Sequence, residues 1–426
     1  MTHRKDTFCI MPFIHLHNMS NGILKMCCLS EQPFTNKHGQ SIFIGNQPIE
    51  EVWNGDSIIS SRRLMLENKQ VPACSHCYAI EDNGGKSLRQ EYNEQYLEKN
   101  KDIVEYASKN NGHVNKFPSF LELRTGNLCN SACRMCNTND SSLVYKENTE
   151  ILKTITNFNK SIGDHIQSAI GDPNVIIFGK SDERVDTIQI DIDRYIDEVI
   201  ENIDSIDTVT LSGGEPFLLE KTTELLEVMA AKNPNVKLNI NTNGSITSDK
   251  IINALLKLND VHLCVSIDGY GKTNEYIRYP LKWDKIENNI QKFSNLKRDG
   301  FYLSFNTTVQ MLNIFTIDEL VKFIVYQYPE SHLNLSILSR PFHLNIQNLP
   351  MHIKDKIVDR NIKLINDIKD DAPEYIISSI ETINSFINAK ADDSLYYDTF
   401  KSSIIVYDTF RNQSINDYIP VWAKYL

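Results

Sequence analysis

This sequence lacks the features that are typical of membrane proteins, nucleic-acid-binding proteins and secreted proteins. No apolar run approaches the roughly 18 residues that a membrane span needs. The formal net charge of −11 disfavours a broad electrostatic contact with nucleic acid. Residues 1–8 are charged but no long apolar region follows them, so we expect no secretory signal and a cytoplasmic protein.

Internal repeats and low-complexity tracts are also missing, and the cysteines are unevenly spread. Of nine cysteines, only Cys264 follows residue 136. Without a secretion signal they are better explained by metal binding than by disulfides, because the cytosol keeps thiols reduced. A chain of 426 residues is large enough for an enzyme-sized domain and at least one smaller unit.

From residue 120 onward, apolar strands alternate with helical patterns. The predicted strands are 120–124, 208–212, 236–242, 261–268, 302–309 and 332–338. Helical patterns lie between the later strands, over 221–231, 249–258, 283–296 and 317–328. This alternation predicts an α/β fold with a parallel sheet, curled by right-handed crossovers into a partial (β/α)6 TIM-like barrel.

The predicted domain order follows from these patterns. We expect a small cysteine-rich domain over 1–95, a linker over 96–116, the α/β core over 117–341 and a helical extension over 342–426. Residues 140–205 are longer than one crossover needs and include an apolar piece, 175–178. This insertion is either a surface embellishment or a substrate lid.

Three cysteines lie close together directly after the first core strand. Cys129 and Cys133 are separated by three residues, and Cys133 and Cys136 by two. A closed zinc or iron–sulfur site takes four protein ligands, so three thiolates leave one position free for another molecule. A zinc site completed by a fourth ligand elsewhere in the chain is the alternative.

The motif and its place after a strand resemble the signature of the radical S-adenosylmethionine (SAM) superfamily, over about residues 117–341. The resemblance implies that the three thiolates hold a [4Fe–4S] cluster whose fourth iron binds SAM. An electron from a reductant such as flavodoxin or ferredoxin would then cleave SAM to a 5′-deoxyadenosyl radical. Members usually carry an aromatic residue where this chain has Met135, whose backbone would still meet the adenine.

The second predicted strand ends in Gly213, Gly214 and Glu215. Two glycines let the backbone approach a ligand closely, and a carboxylate can accept a hydrogen bond from a cationic amine. The segment looks like the family's Gly-Gly-Glu motif, which implies contact with the SAM amino group.

Polar residues also follow other strands, where parallel α/β folds place their ligands. The resemblance implies that Ser266 meets the ribose or carboxylate of SAM and that Arg278 pairs with its carboxylate, with Asn241 and Asn306 as further cofactor contacts. The alternative is that they only cap strands and helices. Asp268, before a glycine, is predicted to form a turn.

The amino-terminal cysteines and turns, in their order along the chain, resemble a twitch or SPASM-type auxiliary-cluster domain. The resemblance implies four ligands, Cys9, Cys27, Cys74 and Cys77, with Cys27 favoured over Cys28 by its distance from Gly22. That module usually follows the core, whereas here it precedes it. A zinc site fits the paired cysteines equally well by spacing.

Three other residues of metal-binding type are predicted to have structural roles and not to bind metal. Cys264, in an apolar strand, is predicted to be core. His15 and His17 alternate on a predicted strand and are expected to be solvated or hydrogen-bonded surface residues rather than metal ligands.

The resulting functional hypothesis is a radical SAM enzyme that takes a hydrogen atom from a peptide or small metabolite, with net oxidation, epimerisation or cross-linking. Its catalytic acid or base is not identifiable from the sequence. One alternative is a radical SAM transferase or maturase acting on RNA or a cofactor. The other is a non-catalytic protein that binds zinc or another metal and acts through interaction alone.

Overall fold

The structure is a computed structural model that describes residues 6–154, 162–164, 191–389 and 394–426. Its strands, named in chain order, are β1 His15–Asn18, β2 Leu24–Lys25, β3 Phe120–Arg124, β4 Thr208–Ser212, β5 Lys237–Thr242, β6 Asp260–Ser266, β7 Phe301–Val309 and β8 His332–Ile337. They form one sheet in the order β2-β1-β3-β4-β5-β6-β7-β8. Within the described residues β2 and β8 are its edges, so the sheet is open.

Helices cover most of the remaining described residues. Those before β4 span Met11–Ile14, Ile49–Trp53, Asp56–Leu66, Ser75–Asp82, Leu88–Tyr96, Lys101–Lys109, Ser142–Thr154 and Ile192–Glu201. Those between β4 and β8 span Glu220–Lys232, Asp249–Lys257, Lys272–Ile277, Trp283–Ser294 and Ile317–Gln327. Those after β8 span Met351–Ile368, Glu374–Asn388, Ser394–Arg411 and Ile415–Tyr418.

The parallel α/β sheet predicted from the sequence is confirmed. The six predicted strands are β3 to β8, and each has both ends within two residues of the prediction. The sequence did not predict that the amino-terminal segment would extend this sheet. Strand β1 pairs in parallel with β3, opposing His17 to Glu122, and β2 pairs antiparallel with β1.

The chain divides into two compact units. The first comprises Met1–Asn127, Ile176–Ile240 and Ser248–Val261, and the second comprises Leu128–Val175, Asn241–Thr247 and His262–Leu426. These limits differ from the predicted domains, whose boundaries stay predictions.

In the first unit, alternation along the strands separates an apolar from a polar face. Leu121, Val209, Leu211 and Leu238 on the apolar face are fully buried. Helix Glu220–Lys232 packs against the helices Ile192–Glu201 and Asp249–Lys257. Successive side chains of a strand point to opposite faces, so the polar residues between these leucines and valines share the other face.

In the second unit, β7 and β8 pair in parallel, with Asn306 opposite Asn334. The helices Met351–Ile368 and Glu374–Asn388 pack against each other, and the latter packs on β8. The predicted helical extension is therefore present and contributes to the core of this unit.

Two local predictions have mixed outcomes. Cys264 is only half-buried, because it lies on the polar face of β6 between the buried residues Leu263 and Val265. The predicted apolar piece 175–178 lies outside the described residues. No helix in the described part of the chain is long and apolar enough to span a membrane.

The packing predicts that two leucines of the first unit contribute differently to the free energy of unfolding. Leu211→Ala empties a fully buried position and should lower the free energy of unfolding by about 2–5 kcal/mol. Leu256→Ala, at a position 46% exposed, is the matched control and should lower it by less than about 0.5 kcal/mol. Urea unfolding measures both, and equal losses would contradict this assignment of the core.

Candidate functional site

The three clustered cysteines lie side by side in the loop that follows β3. The Oγ atom of Ser131 lies 3.2 Å from the Sγ of Cys129 and 3.4 Å from the Sγ of Cys133. The thiol of Cys136 is close enough to that of Cys133 to influence its protonation. The loop therefore brings its three thiols together within the second unit, as the sequence predicted.

Backbone hydrogen bonds fix the shape of this loop. The amide of Ala132 donates to the carbonyl of Tyr279 at 2.6 Å, and the amide of Arg134 donates to the carbonyl of Ile277 at 2.9 Å. The Oγ of Ser141 donates to the carbonyl of Ser131 at 2.7 Å. The cysteines thus sit on a backbone that a neighbouring segment holds in place, which preorganises them as ligands.

A buried ion pair ties the loop to the carboxy-terminal region. Arg411, at the end of helix Ser394–Arg411, makes two bonds of 2.7 Å to the carboxylate of Glu147. The same guanidinium donates to the carbonyl of Ala132 at 2.7 Å. All three residues are buried, so each charge depends on its partner for stability.

Asp408, one helical turn before Arg411, makes a second connection. Its Oδ1 atom accepts from the Nη2 of Arg134 at 2.6 Å and from the hydroxyl of Tyr276 at 2.7 Å. The guanidinium of Arg134 also lies over the ring of Tyr276, 3.8 Å from its centroid. Sequence reasoning missed both connections, since the partners are 264 and 274 residues apart and no motif marks them.

Arg278 lies beside the thiols but has a partner that the sequence prediction did not include. Its Nε atom lies 2.7 Å from the Oδ2 atom of Asp268 in a buried ion pair, and its Nη1 atom lies 4.0 Å from the Sγ of Cys133. Asp268 is fully buried. The prediction that Asp268 only forms a turn is wrong, because its carboxylate balances a buried guanidinium.

The protons on Cys133 and Cys136 are coupled. The hydrogen bond from Cys136, followed by the charge of Arg278, outweighs burial and lowers the pKa of Cys133 to about 6. The same hydrogen bond and burial raise the pKa of Cys136 well above its usual value. The hydrogen bond and the guanidinium thus favour the thiolate of Cys133, whereas burial and the same hydrogen bond favour the thiol of Cys136.

The residues after β5 contact the loop where the sequence had assigned Asn241. Asn241 is exposed, whereas Asn243 donates to the Oδ1 of Asn130 at 2.9 Å. The Nδ2 of Asn130 in turn donates to the Oγ of Ser245 at 2.9 Å. Asn243 and Ser245 thus order the loop, and only their position after a strand could have marked them.

The remaining predicted contacts of the second unit are accessible. Met135, Ser266 and Asn306 are each half-buried. The Oδ1 atom of Asn306 accepts a hydrogen bond of 2.9 Å from Asn334. Their contacts with a cofactor stay predictions.

In the first unit, the two glycines after β4 allow a close backbone approach. Gly213 has a φ of +119°, and a Cβ atom on it would lie 2.6 Å from the carbonyl oxygen of Gly126. The amide of Gly214 donates to that same oxygen at 2.9 Å. Glu215 is buried, and its Oε1 atom accepts from the amide of Phe217 at 3.2 Å. No residue larger than glycine fits position 213 without moving the backbone.

The amino-terminal cysteines also come together, as predicted. Cysteines from three separate segments of the chain line one cavity of the first unit: Cys9, Cys27, Cys28, Cys74 and Cys77. Other residues that line it include Arg89 and Tyr92. Arg89 makes two bonds of 2.9 Å to Glu81 and also donates to the carbonyl of Phe8, next to Cys9.

Burial and mutual repulsion shift the pKa values of the thiols in this cavity upward. Burial, followed by neighbouring thiols, raises the pKa of Cys27 and of Cys74 to about 12. Burial likewise raises the pKa of Cys9 and of Cys77. Several buried thiols that repel as thiolates become good ligands once a metal supplies positive charge.

Cys28 differs from the other four cysteines. Burial raises its pKa to about 11, but the next contributions come from Glu122 and Arg124, not from another cysteine. For Cys9, in contrast, the neighbouring charges are Cys27, Cys74 and Cys77. Cys28 also lines the cavity and raises the pKa of Cys27, so the choice between the two as ligand stays a prediction.

His15 and His17 are buried rather than on the surface, so that part of the prediction is wrong. His17 Nδ1 lies 3.2 Å and His15 Nε2 lies 3.6 Å from the Oε2 of Glu122. The other nitrogen of His15 is 2.9 Å from the carbonyl of Met26. Burial would raise the pKa of Glu122, but these two contacts outweigh it and hold that pKa well below its usual 4.5.

The solved structures that match this chain are distant from it in sequence. The crystal structure of Streptococcus suis SuiB bound to precursor peptide SuiA matches at 12% identity and a TM-score of 0.38, over 83% of this chain and 70% of that chain. Native anSMEcpe with bound AdoMet matches at 15% identity and a TM-score of 0.36, over 58% and 61%. The methyltransferase TsrM from Kitasatospora setae, a radical S-adenosylmethionine enzyme with cobalamin and a [4Fe-4S] cluster bound, matches at 14% identity and a TM-score of 0.30, over 41% and 32%.

The sequence itself matches one protein family. Residues 123–324 match the Radical SAM superfamily. No curated protein matches the chain. The matched stretch begins in β3, contains the three clustered cysteines and Gly213–Glu215, and ends in helix Ile317–Gln327.

The ion pair behind the cysteine loop predicts a large effect of one neutral substitution. Glu147→Gln leaves Arg411 buried without its carboxylate and should lower the free energy of unfolding by about 3–5 kcal/mol. Amide hydrogen exchange should become faster at Ala132 and Arg134. Glu150→Gln, in the exposed pair with Lys153, is the control and should change stability by less than about 1 kcal/mol. Unchanged exchange in Glu147→Gln would show that the helix does not support the loop.

The contacts of Glu122 predict a pH dependence of stability. Because its folded pKa lies below the ordinary 4.5, Glu122 contributes stability above that pH and the contribution is lost as the pH falls. Glu122→Gln should therefore be less stable than the wild type at pH 7, with a smaller difference at about pH 3.5. Urea unfolding at both values measures this. The exposed Glu50→Gln controls for the loss of a carboxylate, and a difference that grows in acid would contradict the assignment.

Proposed function

Because this chain carries a radical SAM domain over residues 123–324, we propose that Cys129, Cys133 and Cys136 hold a [4Fe–4S] cluster at which SAM is reductively cleaved. The observation that carries the proposal is the approach of Cys129 and Cys133 to Ser131, with Cys136 next to Cys133, on a loop fixed by backbone hydrogen bonds. Three protein ligands leave one iron of the cluster open to SAM.

The donor set fits such a cluster better than a single metal ion. In the described part of the chain, no three His, Cys, Asp or Glu side chains are arranged to hold one metal ion. A closed zinc site takes four protein ligands, and this loop supplies three thiols. A [4Fe–4S] cluster with one open iron takes three protein ligands and accepts thiolates throughout.

When bound, the cluster passes an electron to SAM, and the resulting 5′-deoxyadenosyl radical removes a hydrogen atom from the substrate. The chain's own residues would bind and orient SAM. Those proposed for this are Gly213, Gly214, Glu215, Met135, Asn241, Ser266 and Asn306. The electron would come from a flavodoxin or ferredoxin, and the protein would act in the cytoplasm, where thiols stay reduced.

A second cluster is proposed in the cysteine-lined cavity of the first unit, on Cys9, Cys27, Cys74 and Cys77. The shared cavity and the mutual coupling of these thiols support it. Four protein ligands would close the cluster to substrate, so its role would be structural or electron transfer. As an electron acceptor it would make the net reaction an oxidation.

The proposed substrate is a peptide or a small metabolite. In the second unit, the polar faces of β6, β7 and β8 carry hydroxyl, amide and imidazole groups without Lys or Arg: His262, Ser266, Ser304, Asn306, Thr308, Asn334 and Ser336. Such groups hydrogen-bond amides and small polar groups. They offer no charge for a phosphate backbone, which disfavours RNA.

Anaerobic reconstitution with iron and sulfide tests the proposal directly. With dithionite and SAM, the wild type should form 5′-deoxyadenosine, and Cys133→Ala should form none because it removes a central ligand. Cys264→Ala, a cysteine outside both groups, is the control and should retain activity. Absence of 5′-deoxyadenosine from the reconstituted wild type would contradict the proposed function.

Metal content tests the second cluster and its ligands. The wild type should bind about eight iron atoms per chain, as two [4Fe–4S] clusters require. Cys27→Ala should lose about half of them, whereas the adjacent Cys28→Ala should keep them. Zinc in place of half the iron, or equal losses in both variants, would count against this ligand set.

A further inference from the structure

Arg278 occupies a position between a carboxylate and a thiol. Its side chain is only 9% exposed. One nitrogen lies 2.7 Å from Asp268 and another lies 4.0 Å from the Sγ of Cys133. Its positive charge is therefore largely shielded from water and lies next to a proposed cluster ligand.

Asp268 is itself fixed from several directions. Its Oδ1 atom accepts from the amide of Thr308 at 2.8 Å. Its own amide donates to the side chain of Asn274 at 2.9 Å, and its carbonyl accepts from the side chain of Asn313 at 2.9 Å. Because the carboxylate of Asp268 is fully buried and fixed in position, moving Arg278 away would leave a buried charge without a partner. The ion pair therefore holds the guanidinium in place.

We propose that Arg278, oriented by Asp268, acts on the cluster rather than on SAM: it stabilises the negative charge that reduction adds at Cys133. This inference rests on the proposed function of the three cysteines. Here Arg278 is a positioning and electrostatic residue, not a catalytic one. A cation next to a ligand sulfur favours the reduced state, and hydrogen bonds to sulfur are a known determinant of cluster potential.

The charge balance argues against the role in SAM binding that the sequence suggested. Asp268 already neutralises the guanidinium. A SAM carboxylate at the same group would place two carboxylates on one buried cation, and the second would be desolvated without compensation. A SAM carboxylate at Arg278 is therefore disfavoured, whereas its Nη1 atom remains 4.0 Å from the Sγ of Cys133.

Two other guanidinium groups next to the loop do not share this position. Arg134 pairs with Asp408, and Arg411 pairs with Glu147. Arg411 bonds the loop through the carbonyl of Ala132, and Arg134 bonds the carbonyl of Tyr276 at 3.2 Å. Both of these guanidinium groups hydrogen-bond to backbone carbonyls, whereas Arg278 lies next to the thiol of Cys133.

The test compares Arg278→Gln, Arg278→Lys and Asp268→Asn after anaerobic reconstitution. An electron paramagnetic resonance redox titration gives the midpoint potential of the cluster whose signal changes when SAM is added. A separate titration with SAM gives its dissociation constant. Arg278→Gln should shift the potential to a more negative value, and Arg278→Lys, which keeps the charge, should shift it less. Asp268→Asn should shift it the opposite way, since it leaves the cation unbalanced.

The dissociation constant of SAM should change by less than about threefold in Arg278→Lys and Asp268→Asn. A tenfold or greater increase in both Arg278 variants with an unchanged potential would overturn the inference and restore the SAM role. If Arg278→Gln fails to bind iron, Asp268→Asn alone tests the proposal. A midpoint potential in Asp268→Asn that is equal to that of the wild type, or more negative, would contradict it. A wild type without any SAM-sensitive signal would overturn the proposed function itself, a result distinct from the others.

Discussion

The two candidate sites depend above all on holding several cysteine thiols close together in buried or half-buried places. Thiolates repel one another and lose hydration on burial, so each group needs either a proton or a nearby positive charge. In the second unit, the hydrogen bond from Cys136 and the charge of Arg278 lower the pKa of Cys133. In the first unit, the amino-terminal thiols have raised pKa values, so their ligand form depends on a bound metal. If the proposed function is right, the two groups of thiols differ in how they become ligands. The three-cysteine loop is arranged by the protein itself, whereas the amino-terminal cysteines need the bound cluster to become thiolates.

The carboxy-terminal helix Ser394–Arg411 belongs to the support of the cysteine loop. Its Asp408 and Arg411 reach Arg134, Glu147 and the carbonyl of Ala132, all buried or nearly so. Buried ion pairs contribute little net stability but are costly to break, and they specify one arrangement of the groups they join. The carboxy-terminal extension, which has no recognisable motif, therefore helps to shape the site. It does so through two charged residues and not through a metal ligand.

The sequence predicted the parts of the molecule that local patterns determine. Period-two alternation located β3 to β8, and the spacing of Cys129, Cys133 and Cys136 located the loop. It could not place β1 beside β3, since strand pairing between His17 and Glu122 depends on contacts far apart in the chain. For the same reason it put His15 and His17 on the surface and treated Asp268 as a turn. Buried charge pairs such as Asp268 with Arg278 leave no periodic signature, because each residue alone looks like a polar residue of a loop.

The central claim is that the free position of the three-cysteine site receives SAM. Electron–nuclear double resonance on the reduced, reconstituted chain tests it most directly, using SAM labelled with nitrogen-15 at its amino group. The account predicts a coupling between the cluster and the labelled nitrogen, lost in Cys133→Ala. A reduced cluster that shows no coupling to the label would contradict it.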